Sequence, residues 1–545
     1  MYSTLKELYE QSVKRFAGKP SFSMHEREEL TYDDFADRVE TVQRLLVGAG
    51  LTGGDKVALL SGNMPNWGVC YFAVVSAGMV VVPILPDFTG AELDMIITHS
   101  EAKALLVSDK LFSKVGKPVI EGLNIVVRTK NLAVISQRVS SPGETAEPRS
   151  EDLAVIIYTS GTTSKPKGVM LTHYNLCMQM EMIHDLYPID ENDNFLSILP
   201  LSHTYECSIG MIYAFMSGAR VTYIDRPPTA STLLPVLKEV RPTLMLVVPL
   251  IIEKLYKSQV LKLFTRNALL KWCYSKPFFA RRLNRLAGKK LYKVFGGRLR
   301  FFGIGGAKLD LQTEKFLADA DFPYAIGYGL TETAPLLAGY VPSMKRHLQS
   351  TGPLLSRIKG RLDGVNPQSG EGELVVKSPS TMVGYYKNPE ATREAFTEDG
   401  YFRTKDLGYI DRDGFLYIKG RANNMIVGPS GENIYPEEIE SVINGLSIVT
   451  DSIVKYEEGK LVAMVQFNRE ELERKYQDFK DELGMRLEEI KKDIINYVNS
   501  KVNKFSRISV VEEHDDDFEK TPTHKIKRYL YIKSGQPGRE PKKKS

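Results

Sequence analysis

No stretch of this 545-residue chain is long and apolar enough to read as a membrane span. The greasiest run, Val69 to Leu85, is interrupted by Ser76, Gly78 and Pro83, and predicts a buried helix, a turn and a buried strand. Cysteine is scarce, and Cys70, Cys177, Cys207 and Cys273 stand far apart without metal-type spacing. That pattern suits a reducing compartment and reads each thiol as a small buried hydrophobe. Met1 to Arg15 is mixed polar and amphipathic, which is not the pattern of a secretory leader. Repeats are absent, and the only biased tracts, Asp515-Asp516-Asp517 and Lys542-Lys543-Lys544, read as solvated. A net charge of +5 on this length points to no particular partner and gives no case for nucleic acid. The expectation is a cytoplasmic globular protein of more than one domain.

What is present centres on Tyr158-Thr159-Ser160-Gly161-Thr162-Thr163-Ser164-Lys165-Pro166-Lys167-Gly168. Ala154 to Tyr158 before it and Val169 to Leu171 after it read as strands, with Thr172 as N-cap of a following helix. Glycines let backbone N–H groups approach a polyanion, hydroxyls donate to phosphate oxygens, and lysine neutralises charge. The loop therefore fits triphosphate binding. It is not a Walker A motif, because Lys167-Gly168 leads into a strand and not into a helix N-terminus. On composition alone a Ser/Thr-rich surface hairpin is the alternative.

Elsewhere, Lys56 to Leu60, Val80 to Pro83, Ala104 to Val107 and Asn124 to Val127 alternate with helical patterns, which predicts a parallel α/β layer. Ser140 to Glu151 reads as a surface linker. A strand over Phe195 to Leu199 precedes His203, and one over Phe301 to Ile304 ends in Gly305-Gly306-Ala307, where a flat ring could lie on the backbone. In Tyr328-Gly329-Leu330-Thr331-Glu332, the tyrosine can stack, the threonine can donate to phosphate, and the glutamate is a hard oxygen ligand for Mg²⁺. Asp406 precedes a hairpin turned by Asp413-Gly414, and its carboxylate can accept from a ribose diol. Lys271 to Phe295 mixes aromatic and basic residues, with Leu283, Leu286, Leu291 and Phe295 at helical spacing. It reads as a solvated helix packed on the domain, or as a surface resting on anionic membrane. Gly428 to Asn433 reads as a flexible loop. Beyond it, a helix opening at Pro436, a strand Leu461 to Phe467, a charged helix within 470 to 502 and a strand Ile508 to Val511 predict an α+β module.

The Ser/Thr-rich loop, Gly327-Tyr328-Gly329-Leu330-Thr331-Glu332, Tyr401 to Gly408 and Phe518 to Arg528 together resemble the adenylate-forming enzymes, closest to long-chain fatty-acid:CoA ligases. The resemblance implies a large N-terminal domain of stacked α/β layers with a β-barrel-like part over residues 1–421. It implies a hinge at 422–424 and a small mobile α+β domain over 425–545. It assigns ATP contacts to Thr159, Ser160, Gly161, Thr162, Thr163, Lys167, Gly305, Gly306, Ala307, Tyr328, Gly329, Thr331, Asp406, Arg421 and Lys525. Catalysis goes to Lys525, Glu332 and Thr331, the metal to Glu332 and Thr159, the acyl site to His203, the coenzyme A path to Gly431 and the hinge to Asn423. Three positions depart from the usual pattern: Ser164 and His524 stand where glycine is usual, and Asn423 stands for the hinge aspartate or lysine. ATP and Mg²⁺ are the implied cofactors, with a fatty acid and coenzyme A as substrates; peripheral membrane contact through 271–295 and a homodimer stay open. Transfer to a carrier protein, a shorter or aryl acid, and a catalytically silent lipid-binding protein are the alternatives.

Overall fold

The structure is a computed structural model describing residues 2–139, 141–159, 166–226, 228–264, 266–428, 432–475, 483–522 and 525–532. It divides into two compact units. One comprises Met1–Gly360, Val376–Phe402 and Gly414–Leu416, the other Arg361–Val375, Arg403–Asp413 and Tyr417–Ser545.

The first unit is built on two eight-stranded sheets. In one, Lys56–Leu60, Val80–Pro83, Ala102–Val107 and Ile125–Arg128 run parallel, as their uninterrupted apolar, β-branched composition requires for strands covered on both faces. Leu153–Thr159 joins parallel to Val80–Pro83, and Lys167–Thr172 returns antiparallel beside it. The helix Pro65–Ser76, buried along its whole length, and the strand after it account for the greasy run near Val69. Thr172 caps the helix His173–Leu186 by accepting from the Asn175 N–H, while the Asn175 side chain accepts from the Thr172 N–H.

The second sheet runs parallel through Tyr324–Gly329, Phe301–Ile304, Leu244–Val247, Asn194–Ser197, Arg220–Tyr223 and Pro20–Met24, with antiparallel edges at Leu336–Tyr340 and Glu29–Thr31. The strand expected to reach Leu199 stops at Ser197, because Asn63 takes hold of the next turn: its amide donates to the Leu199 carbonyl at 2.7 Å and accepts from the Leu201 N–H at 2.9 Å. Of the expected linker, residues 141–151 lie mostly on the surface but are pinned, with Gly143 N donating to Val47 O and Ala146 N to Ala77 O.

Pro277 splits the basic aromatic stretch into helices Ala268–Ser275 and Pro277–Val294. The expected apolar stripe needs one correction. Asn284, Ala287, Gly288 and Leu291 form the buried face, whereas Leu286 is on the opposite side and 61% exposed. A step of 100° per residue puts 286 more than a quarter-turn from 287 and 291, so spacing alone had grouped it wrongly. Cys70, Cys177 and Cys207 are buried as expected, and Cys273 is half-buried.

The second unit carries most of a four-stranded sheet made by Lys359–Asp363, Gly372–Lys377, Phe402–Ile410 and Leu416–Arg421, which does not close into a barrel. Its C-terminal part packs Pro436–Asn444 and Leu483–Asn499 on the sheet Val449–Glu457, Lys460–Phe467 and Val510–Glu513. The expected loop over Gly428 to Asn433 is partly a ribbon, Ile426–Val427 pairing with Asn433–Ile434. The last strand begins two residues later than its apolar pattern suggested.

Candidate active site

In the second sheet of the first unit, the parallel strands deliver Leu199–His203, Gly305–Ala307 and Tyr328–Glu332 to one edge, outside the carboxyl ends. Open α/β sheets bind ligands at that edge. Tyr205 knits two of these segments together: its ring fills the space over Gly305, where an added Cβ would lie 3.1 Å from Cζ. Gly306, at φ +85°, makes the turn that Ala307 follows into solvent. His203 is half-buried, and its Nδ1 accepts from the Tyr205 N–H at 3.2 Å, so a neutral ring carries its proton on Nε2.

The hairpin Leu153–Thr159 and Lys167–Thr172 pairs Thr159 directly with Lys167, the Thr159 hydroxyl lying 3.5 Å from the Lys167 carbonyl. Ser160, Gly161, Thr162 and Thr163 between them, and Gly431, lie outside the described residues. Gly168 serves packing: a Cβ there would meet Ile156 Cγ2 at 2.9 Å and the Tyr158 ring at 3.2 Å. Tyr158 is turned away to His99 Nδ1 at 2.7 Å, with burial pushing its hydroxyl pKa up. Gly329 likewise admits the returning chain, since a Cβ would sit 1.8 Å from the Pro335 carbonyl.

One residue the sequence reading did not single out connects the hairpin to the Tyr328–Glu332 segment. Tyr385 pairs with Val169 on the short edge strand Gly384–Tyr385, and its hydroxyl donates to Glu332 Oε1 at 2.9 Å. Lys167 Nζ lies over the same ring, 5.0 Å from the centroid. The Met382 N–H also donates to the Glu332 carbonyl at 2.8 Å. Lys167 has no carboxylate partner among the described residues, and no described residue donates to the second Glu332 oxygen. This donor set, an unpaired ammonium and a hard carboxylate oxygen held on one phenol, fits a Mg²⁺–polyphosphate. Thr331 is half-buried beside Glu332, and Tyr328 is half-buried on the edge strand pair.

In the second unit, the Asp406 carboxylate is buried and takes Arg421 Nε at 2.8 Å, so these two candidates form one pair, Asp406 in the middle of one strand and Arg421 at the end of the next. Asn423 is exposed in the turn after Arg421, which is closed by Asn424 N and Met425 N donating to the Arg421 carbonyl. Lys525 is exposed, its N–H donating to Thr521 Oγ1 at 3.2 Å and its carbonyl accepting from Thr521 N at 2.7 Å. Lys520 is paired with Asp451 and Lys527 with Glu519. The turn is anchored by Arg528, which donates from both terminal nitrogens to Glu440, each at 2.7 Å. Burial pushes the Glu440 pKa up, with the Arg528 charge acting against it.

Among the described residues no helix is long and apolar enough to cross a membrane. The chain is 28% identical to the long-chain-fatty-acid–CoA ligase FadD15 of Mycobacterium bovis, over 92% of this chain and 90% of that protein. It is 27% identical to the long-chain-fatty-acid–[acyl-carrier-protein] ligase AEE15 of Arabidopsis thaliana, over 82% of this chain and 73% of that one. Its fold matches that of the o-succinylbenzoate CoA synthetase of Bacillus subtilis solved with ATP and magnesium, with a TM-score of 0.75 and 21% identity over 96% of this chain and 98% of that one. ATP with Mg²⁺, and coenzyme A as co-substrate, go with such enzymes. Residues 9–386 match the family described as AMP-binding enzyme, and the chain belongs to that family.

Proposed function

We propose that this chain joins a long-chain fatty acid to AMP, with loss of pyrophosphate, and then passes the acyl group to the thiol of coenzyme A. The observation that carries this reading is the contact of Lys167 and Glu332 through Tyr385, which gathers a phosphate-type cation and a metal-type oxygen at the carboxyl edge of the sheet. Fatty-acid ligases among the relatives supply the substrate class.

A carboxylate is a poor acyl donor, because its leaving group would be an oxide. In the first step its oxygen attacks the α-phosphorus of ATP while the bond to the β-phosphate bridging oxygen breaks. Lys167 and the hairpin N–H groups hold the departing pyrophosphate, Thr331 donates to the α-phosphate, and Lys525 stabilises the charge that develops there. Glu332 with Thr159 would hold Mg²⁺, which would supply neutralisation of the triphosphate charge. Tyr328 and Gly305–Ala307 flank the adenine, Asp406 with Arg421 takes the ribose, and His203 borders the carboxylate. In the second step the thiol sulfur attacks the acyl carbonyl, the bond to AMP oxygen breaks, and the thiol proton is released.

Residues 1–421 form the adenylating domain and 425–545 a mobile domain turning about Asn423 in 422–424, which withdraws Lys525 and brings the Gly431 loop to the coenzyme A path. Four unpaired cysteines support a cytoplasmic location. The carrier-protein ligase among the relatives keeps a carrier protein as a second acceptor. A panel of carboxylates from acetate to oleate, with ATP and followed by pyrophosphate release with and without coenzyme A, tests the reading. Oleate should be preferred and coenzyme A should accelerate turnover. Preference for acetate or an aryl acid, indifference to coenzyme A, or no pyrophosphate from any acid would each displace it.

A further inference from the structure

Three metal-type donors converge near the Glu29–Thr31 edge of the second sheet. His25 and Glu26 lie in the turn between Pro20–Met24 and Glu29–Thr31, and Glu239 lies in the last turn of the helix Ala230–Val240. One donor atom from each is within 4.8 Å of the other two, and among the described residues no other group of His, Cys, Asp and Glu gathers in this way. The backbone fixes the approach. His25 N donates to the Tyr223 carbonyl at 2.9 Å, which ties the turn to the strand Arg220–Tyr223. Glu26 takes the left-handed conformation, φ +59°, and Arg27 N closes the turn on the Met24 carbonyl at 3.0 Å. His25 Nε2 is then 2.9 Å from Glu239 Oε2.

Neighbouring cations are already engaged. Arg38 takes Glu28 at 3.0 Å, Arg220 takes Glu29 at 2.6 Å, and Arg27 takes Asp225 at 2.5 Å. Among the described residues Glu26 and Glu239 have no lysine or arginine partner. Two carboxylates held this close repel each other, and a divalent cation between them removes the repulsion. The same three side chains line a cavity of about 410 Å³. Asn194 lines it as well: its Nδ2 donates to the Val240 carbonyl at 2.9 Å, while its Oδ1 is buried with no donor. An orphaned amide oxygen in the wall of such a cavity is a place for an ion or a water bound to one.

We propose that His25, Glu26 and Glu239 bind a divalent cation of the zinc type, with water completing its shell. An imidazole beside two carboxylates suits Zn²⁺, whereas Ca²⁺ and Mg²⁺ take shells of oxygen. Ligand atoms of a tetrahedral zinc site lie roughly 3.3 Å apart, so the two exposed carboxylates need to close by only about 1.5 Å from the 4.8 Å limit. A protonated His25 between the carboxylates would balance the same charge without metal, and the experiment separates these two states. The ion joins positions 214 residues apart, tying the first hairpin of the chain to the helix Ala230–Val240. Closing so long a loop removes much freedom from the unfolded chain. This site is independent of which acid the enzyme activates, and its test needs neither nucleotide nor substrate.

Full-length, untagged protein stripped with a chelator is titrated with Zn²⁺ in excess Mg²⁺, by calorimetry and by thermal unfolding. One zinc per chain and a zinc-dependent rise in Tm are expected. Both should weaken as pH falls through the imidazole range, because only the neutral ring ligates. His25→Ala and Glu239→Gln should each weaken binding by more than the roughly 10- to 100-fold that loss of an outer-shell partner costs. Both variants should lose the rise in Tm, while their zinc-free unfolding stays near wild type because the three side chains reach solvent. Glu332→Gln should keep the zinc response, which separates this site from the metal proposed at the nucleotide. No zinc response, a response unchanged in His25→Ala and Glu239→Gln, its loss in Glu332→Gln alone, or an equal response to Ca²⁺ would each overturn the proposal.

Discussion

Substituting Tyr385 by Phe removes one oxygen from the site and nothing else. The ring that lies 5.0 Å beneath Lys167 Nζ stays, as does the pairing of Tyr385 with Val169. What is lost is the 2.9 Å hydrogen bond that fixes the Glu332 carboxylate. A hydrogen bond to a charged acceptor is worth about 1.5–3 kcal/mol. If Glu332 must be held to bind metal–nucleotide, kcat/KM for pyrophosphate release should fall roughly 10- to 150-fold, with the half-saturating Mg²⁺ concentration rising in step. Tyr385→Leu should cost about 0.5–1 kcal/mol more, through the lost cation–π contact at a half-exposed site. The assay is initial-rate pyrophosphate release titrated with Mg²⁺ at saturating acid, beside a thermal unfolding scan, which should show little change for the Phe variant. Wild-type Mg²⁺ dependence in Tyr385→Phe, or a lower Mg²⁺ requirement, would refute the positioning role; the latter would mean that the phenol competes with the ion.

Lys525→Ala should slow adenylation by about 10²–10³ while sparing thiol transfer from preformed acyl-AMP. Lys520→Ala and Lys527→Ala should change it little, and equal loss in both half-reactions of Lys525→Ala counts against a moving domain. Glu206, fully buried at the head of the helix behind His203, has its pKa pushed up to about 8 by burial. A raised folded pKa stabilises only below the unfolded value, so wild type should lose about 3 kcal/mol relative to Glu206→Gln between pH 5 and pH 8. Urea unfolding followed at Trp67 measures this, and parallel pH profiles for the two proteins would end the argument. Arg528→Met should destabilise the second unit by about 3–5 kcal/mol by stranding Glu440. Hydrogen exchange of Val449–Glu457 reads that loss, and adding Glu440→Leu should recover most of it; a double variant as weak as the single one contradicts the buried-pair account.

The strands Lys56–Leu60, Val80–Pro83 and Phe301–Ile304 were legible to the residue, because a strand covered on both faces needs a short apolar run with a breaker after it. Val449–Glu457 was not legible, since alternating Thr, Asp, Ser and Lys hide its apolar positions until Ile453 and Val454 are seen in the core. Of the candidate site, Lys167, Tyr328 and Glu332 were found from motif chemistry. Tyr385 was not, since its partner is 53 residues away and no local pattern encodes that distance. Asn63, whose amide holds a turn 136 residues further on, was hidden for the same reason.

Sequence alone determined the kinds of group the chain can offer, together with most of the local elements that carry them. Periodicity, β-branching and capping act over a few residues and need no partner. Only the tertiary structure decided that Pro20–Met24, paired on one side with the neighbouring Glu29–Thr31, takes Arg220–Tyr223 on the other, and that Gly168 and Gly329 make room for side chain and backbone. It also decided that Leu286 faces outward. Each of these depends on which distant surface packs against the residue, and packing is a property of the whole core.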